Sequence, residues 1–82
     1  MKIWDKIKDG SSCSYALSKE YEPMWYALVK KHDGKWWFAI GLRGTNHRFT
    51  SVKSWKSLSY AKKQAITAVI CKIGETDNGR KL

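Results

Sequence analysis

The most regular pattern in the chain lies between residues 24 and 43, where two strand-like segments surround a turn. Residues 24–31 are rich in strand-forming side chains, and residues 35–43 alternate between two sets. The His32-Asp33-Gly34 segment between them contains an Asp-Gly pair, which favours a tight hairpin. The alternate residues on one side of the second strand predict a core face; they are Trp36, Phe38, Ile40 and Leu42. The other set predicts an open face, namely Lys35, Trp37, Ala39, Gly41 and Arg43.

The segments beside this hairpin predict further elements. Gly44-Thr45-Asn46 forms a second turn, and residues 47–55 form a third strand with a β-bulge near residues 51–53, because its apolar residues do not share one face. Residues 14–21 are either a further strand or an irregular segment that Pro23 ends. At the amino end, apolar residues at helical spacing predict a short amphipathic helix over residues 1–9; they are Ile3, Trp4 and Ile7.

A longer helix is expected after the strands. Ser57 or Ser59 caps a helix that runs to about Ile73, with Gly74 as its stop. One face of the helix is apolar and consists of Leu58, Ala61, Ala65, Ile66, Val69 and Ile73. The opposite face consists of Tyr60, Lys63, Gln64, Thr67 and Cys71.

Together these elements predict one small α+β domain over residues 1–82, with its core at about 14–73 and a flexible tail at 75–82. We expect a three-stranded or four-stranded antiparallel sheet, a short N-terminal helix, and a C-terminal helix packed on one sheet face. The other sheet face stays open to water. A chain of 82 residues leaves room for one core and one binding face, and little room for a deep pocket between two lobes.

Charge and composition change the picture towards binding. Sixteen Lys and Arg stand against seven Asp and Glu, a formal net charge of +9, and there are five Trp. A cationic surface rich in large aromatic side chains suits a polyanionic partner with stackable groups. No run approaches a membrane span or a signal-peptide core, and two cysteines do not make a disulfide framework. We therefore expect a cytoplasmic protein with free thiols, and a Cys13–Cys71 bridge is the less favoured alternative.

Residues suited to catalysis or metal binding do not converge in the sequence. Soft ligands lack the close spacing of zinc sites, and no nucleophile elbow or phosphate-binding loop occurs. Glu20 and Glu22 would share one face of a strand. Two solvated surface carboxylates are a simpler explanation of this arrangement than a catalytic pair. We expect a protein that is not an enzyme and uses no metal or cofactor.

A basic stretch with interleaved aromatic residues is the main functional feature. Residues 43–63 carry six basic side chains and no acidic one. The small residues Ala39 and Gly41 at the centre of the open face would let a groove edge approach closely. Arg43 and Arg48 flank the second turn, so we expect them to grip neighbouring phosphates. The predicted nucleic-acid-binding residues are Trp37, Arg43, Arg48, Lys53, Trp55, Lys56, Lys62 and Lys63.

Two families share parts of this pattern. The Asp33-Gly34 turn, the strand that begins Lys35-Trp36-Trp37 and a Ser-capped helix with Ala61 and Ala65 resemble the three-stranded-sheet DNA-binding domain of tyrosine integrases (their arm-binding domain) and plant ethylene-response factors. That resemblance implies DNA contact through the open sheet face.

The same chain is similar to the double-stranded RNA-binding domain in three short segments. These are Tyr15-x-Leu17, Phe38-x-Ile40-x-Leu42 and Ser57-x-x-x-Ala61-Lys62-x-x-Ala65, although Leu58-Ser59 replace the lysine pair of that family. DNA and RNA both remain open as ligands. The chain also resembles small phage or mobile-element products, which implies an alternative: an inhibitor or modulator that binds a host protein through exposed aromatic and basic residues.

Overall fold

A computed structural model of the protein describes residues 2–10 and 12–80, and in it five strands precede one helix. The strands form a single antiparallel sheet in chain order, β1-β2-β3-β4-β5. This is an α+β fold with an antiparallel sheet and a C-terminal helix, as the sequence predicted. The elements are β1 (Trp4–Asp9), β2 (Ser12–Leu17), β3 (Trp25–His32), β4 (Lys35–Leu42), β5 (Arg48–Thr50) and α1 (Leu58–Arg80).

The predicted N-terminal helix is wrong, because residues 4–9 form strand β1. β1 pairs with β2 over its whole length, so the predicted three or four strands become five. A helix of nine residues is marginal in water, whereas pairing with a neighbouring strand supplies the backbone hydrogen bonds that β1 needs. Residue 1 of the predicted helix lies outside the described residues.

The hairpin between β3 and β4 is confirmed and fixes the register of the sheet. Asp33 and Gly34 both have positive φ, at 51° and 76°, as a two-residue type I′ turn requires. The turn pairs His32 with Lys35, and every following pair of β3 and β4 is thereby set.

Glu20 and Glu22 do not lie on a strand, contrary to prediction, but in the connection between β2 and β3. The Glu22 carboxylate accepts hydrogen bonds from the backbone N–H groups of Met24, at 2.6 Å, and Trp25, at 2.8 Å. Glu22 therefore organises the entry into β3.

The predicted third strand is shorter than residues 47–55. After β5, Ser51 still pairs with Phe38, and the chain then leaves the sheet over residues 52–54. It returns at Trp55, which exchanges two backbone hydrogen bonds with Trp36, at 2.6 and 2.8 Å. The interruption overlaps the predicted bulge at residues 51–53, but the chain leaves the sheet there and does not bulge within a continuous strand.

Helix α1 covers β3 and β4 through the predicted apolar face. Ala61 and Ala65 are fully buried, and such small side chains let the helix backbone lie close to the sheet. Val29 and Ile40 are the largest fully buried side chains opposite them. The core consists of Leu17, Trp25, Ala27, Val29, Ile40, Ala61, Ala65 and Val69.

The helix extends past its predicted end. Gly74 was expected to stop it, but the helix continues to Arg80, so most of the predicted tail at 75–82 is helical. A glycine ends a helix by adopting a positive φ, and in the described chain this holds for Gly10, Gly34 and Gly44. Residues 81–82 of the predicted tail lie outside the described residues. No helix of the described chain is long and apolar enough to cross a bilayer.

Ser57, the first of the two predicted capping residues, is the N-cap of α1, since its Oγ accepts a hydrogen bond from the Tyr60 N–H at 3.2 Å. A Ser57→Ala variant is expected to lose about 1 kcal/mol of unfolding free energy, because that N–H loses its partner. Urea denaturation measures this loss. Ser59→Ala is the matched control, since Ser59 lies inside the first turn, and an equal loss in both variants would contradict the assignment of the cap.

Candidate nucleic-acid interface

The sheet face opposite α1 is not covered by any element of the described chain. Alternation and register give this open face four cross-strand rows. They are Arg48–Gly41–Tyr26, Thr50–Ala39–Leu28–Ala16–Asp5, Trp37–Lys30–Ser14–Ile7, and Lys35–His32. The predicted division of β4 into a core face and an open face is confirmed for residues 36–42.

Trp37 lies directly opposite Lys30 in the third row. Trp37 is half-buried and Lys30 is exposed, and directly opposed side chains in an antiparallel pair lie about 5 Å apart at Cβ. Lys35, two residues before Trp37 in β4 and on the same face, is exposed as well. Trp37 therefore has two exposed lysines, Lys30 and Lys35, as its neighbours on the open face.

Tyr26 lies over Gly41 in the first row. A Cβ at position 41 would come within 2.5 Å of the Tyr26 ring, so any larger residue there would displace that ring. Ala39 is also buried, at 7% exposure. The prediction that these two small residues admit a groove edge is therefore wrong, because neighbouring side chains already cover the backbone there.

The Tyr26 hydroxyl holds Arg48 in place. The Arg48 Nε–H donates a hydrogen bond to the Tyr26 oxygen at 3.2 Å. This bond and the charge interaction with the same side chain raise the pKa of Arg48 above its ordinary value. The two terminal guanidinium nitrogens stay available to donate to a phosphate.

Arg43 and Arg48, predicted to grip neighbouring phosphates together, contact different groups in the fold. The Arg43 side chain is half-buried and reaches towards β2, where Nη2 donates to the backbone oxygen of Leu17 at 3.4 Å. The Arg43 Nε is buried and has no hydrogen-bond partner among the described residues. Arg43 therefore links the ends of β2 and β4.

The other five predicted residues lie away from the open face. Trp55 is on the helix side, where it stacks on Phe38 with ring centres 5.9 Å apart. Lys53 and Lys56 are exposed in the segment before α1, and Lys63 is exposed on the helix. Lys62, the remaining residue, points back over the sheet. The eight predicted residues are thus divided between the two sides of the sheet.

Lys62 packs against aromatic rings of the first two strands. Its Nζ lies 4.0 Å from the ring centre of Tyr15 and 5.8 Å from that of Trp4. Partial burial lowers the pKa of Lys62, because the ammonium loses hydration. Lys63, its neighbour in sequence, is fully on the outer side of the helix.

Tyr26, Lys30 and the aromatic residues near Lys62 were not predicted from the sequence. Tyr26 and Lys30 follow from the turn, because a two-residue Asp-Gly turn pairs position 32 with 35, and therefore 30 with 37 and 26 with 41. Trp4 was not predicted because residues 1–9 were expected to be helical, and Tyr15 was not predicted because residues 14–21 were left open between a strand and an irregular segment.

The described residues contain no group of three or more His, Cys, Asp or Glu placed to hold a metal ion. Cys13 and Cys71 are free thiols. Comparison with known proteins finds no family model, no curated protein and no solved structure that matches the chain.

Proposed function

We propose that the protein binds double-stranded nucleic acid non-covalently through the open face of its sheet. One observation carries the proposal: the register places Lys30 beside Trp37 and Arg48 beside Tyr26 on one uncovered face. Each pair combines a cation with an aromatic ring. Arg, Lys and Tyr side chains are among those that contact the phosphates and sugars of a duplex.

Arg48 is the main phosphate-binding residue in this proposal. Its Nε–H bond to Tyr26 fixes the plane of the guanidinium before a ligand arrives, so less side-chain entropy is lost on binding. A fixed guanidinium can offer two parallel N–H donors to one phosphate. Lys30 and Lys35 add exposed charge along the same face.

The composition of the face favours nucleic acid over a protein partner. Among its described residues the exposed charged side chains are mostly basic, with Asp5 at the far edge. Arg48, Tyr26 and Trp37 suit either kind of partner, but lysine is depleted at protein–protein interfaces, whereas basic side chains dominate surfaces that contact phosphates. A host-protein partner is the competing outcome of the experiment below.

The test is a titration of labelled duplex DNA and duplex RNA of equal length at about 50 and 200 mM salt. We expect affinity to fall steeply with salt, because binding releases counterions from the phosphates, with a log–log slope of several units. Comparison of the two duplexes shows whether the protein binds DNA, RNA or both. Absence of binding to either duplex at low salt contradicts the proposal. A pull-down from host lysate tests the competing outcome: a protein partner that is retained after nuclease treatment at moderate salt also contradicts the proposal.

A further inference from the structure

A second surface lies on the helix side of the sheet, beyond the area that α1 covers. The helix backbone packs against β3 and β4, so the β1–β2 hairpin extends beside it. Register places Lys6 opposite Tyr15 on this side, and Lys8 opposite Cys13. We call this surface the aromatic ledge; it consists of Trp4, Tyr15 and Trp36 with Lys6, Lys8, Lys31 and Lys62.

The three rings of the aromatic ledge are each next to an ammonium group. Tyr15 and Trp36 have ring centres 5.9 Å apart at 59°, and the Nζ of Lys31 lies 5.7 Å from the Trp36 ring centre. Lys62 serves Tyr15 and Trp4 in the same way. All three rings are half-buried, so each is fixed by packing and still presents some surface to solvent.

The positive charge of the aromatic ledge is not balanced by ion pairs among the described residues. None of its four lysines forms an ion pair within the part of the chain that the structure describes. A cleft at Tyr15 and Trp36 has one carboxylate in its lining, that of Asp33 in the β3–β4 turn. The Asp33 carboxylate contacts the His32 ring at 3.4 Å. The half-buried ammonium of Lys62 has lost part of its hydration, and contact with an anion would compensate for that loss.

We propose that the aromatic ledge binds single-stranded nucleic acid: the lysine ammonium groups that lie over its rings move to the phosphates, and bases stack on the ring faces that they leave. Aromatic rings in a cationic groove bind single strands because every base offers a flat π-face. Bases of a duplex are stacked on one another and cannot reach the rings. This site lies on the opposite side of the sheet from the open face and does not depend on it.

Lys62 and Lys63 provide a matched pair of variants for the test. The probe is fluorescent oligothymidylate, titrated at low salt against the full chain. Lys62→Gln is expected to weaken binding about tenfold and to make the salt slope shallower by about one unit. Lys63→Gln removes the same charge from the outer side of the helix and is expected to change affinity less than about twofold.

Tyr15→Leu is the second variant, because it keeps an apolar side chain in place but removes the ring. It is expected to weaken oligothymidylate binding by about tenfold, as the loss of one stacked base implies. Urea denaturation of each variant shows whether the fold is retained. Equal effects of the two lysine variants, or oligothymidylate binding that Tyr15→Leu leaves unchanged in a folded protein, would overturn the proposal.

Duplex titrations of the same variants separate the two sites. Loss of oligothymidylate binding in Lys62→Gln with duplex binding retained supports the ledge as a distinct site. A wild-type protein that binds duplex but no oligothymidylate overturns the ledge alone, and the reverse result overturns the open face alone.

Discussion

An Ile40→Ala variant is expected to lose about 3–4 kcal/mol of unfolding free energy. Ile40 is 1% exposed and lies in the middle of β4, between the sheet and α1. Truncation removes buried apolar surface and leaves a cavity that the flanking β-sheet backbone cannot collapse to fill. A domain of this length has a total stability of roughly 4–12 kcal/mol, so the loss is a large part of it. Urea denaturation followed by tryptophan fluorescence measures the change.

Val52→Ala is the matched control for the core variant. Val52 is 101% exposed in the segment between β5 and α1, so its truncation is expected to change stability by less than about 0.5 kcal/mol. If Ile40→Ala proved as mild as Val52→Ala, the packing of α1 on β4 would be contradicted.

A Trp37→Leu/Arg48→Ala double variant is expected to bind duplex roughly tenfold to a hundredfold more weakly than the wild type, with a salt slope shallower by about one unit. It removes the ring from one row of the open face and the guanidinium from another. Leucine keeps apolar cover over the sheet at position 37, and Arg48 is exposed, so the fold is expected to persist. Arg43 is left intact because it links β2 to β4.

The control for the double variant is Lys56→Ala, which removes one positive charge at an exposed site away from the open face. Its duplex affinity is expected to change less than about threefold. If Lys56→Ala weakened binding as much as the double variant, net charge rather than the open face would account for the affinity.

The sequence predicted the elements whose local chemistry and tertiary packing agree. The Asp33-Gly34 turn needs positive φ at both positions, which Asp and Gly tolerate, and it set the hairpin correctly. The apolar face of α1 and its Ser57 cap followed from spacing and side-chain type. Residues 4–9 were wrongly predicted to be helical. A segment of six residues is compatible with both the helical and the strand repeat of apolar positions, and only pairing with β2 decides between them.

The site was harder to predict than the fold. Alternation placed Trp37 on the open face, but it could not show that Tyr26 covers Gly41 or that Arg43 reaches Leu17. Both are contacts across strands by long side chains, and sequence spacing gives no direction for such chains. Counting basic residues in one stretch also joined Arg48 and Lys63, which the fold places on different sides of the sheet.

The strand order has a consequence for how the chain folds. Every strand pairs with its neighbour in sequence, and no connection between elements exceeds seven residues. Loop-closure entropy is therefore small at each step, and the final helix packs on the two strands that form the tight central hairpin. A sheet of this kind can grow outwards from the β3–β4 hairpin by adding one adjacent strand at a time.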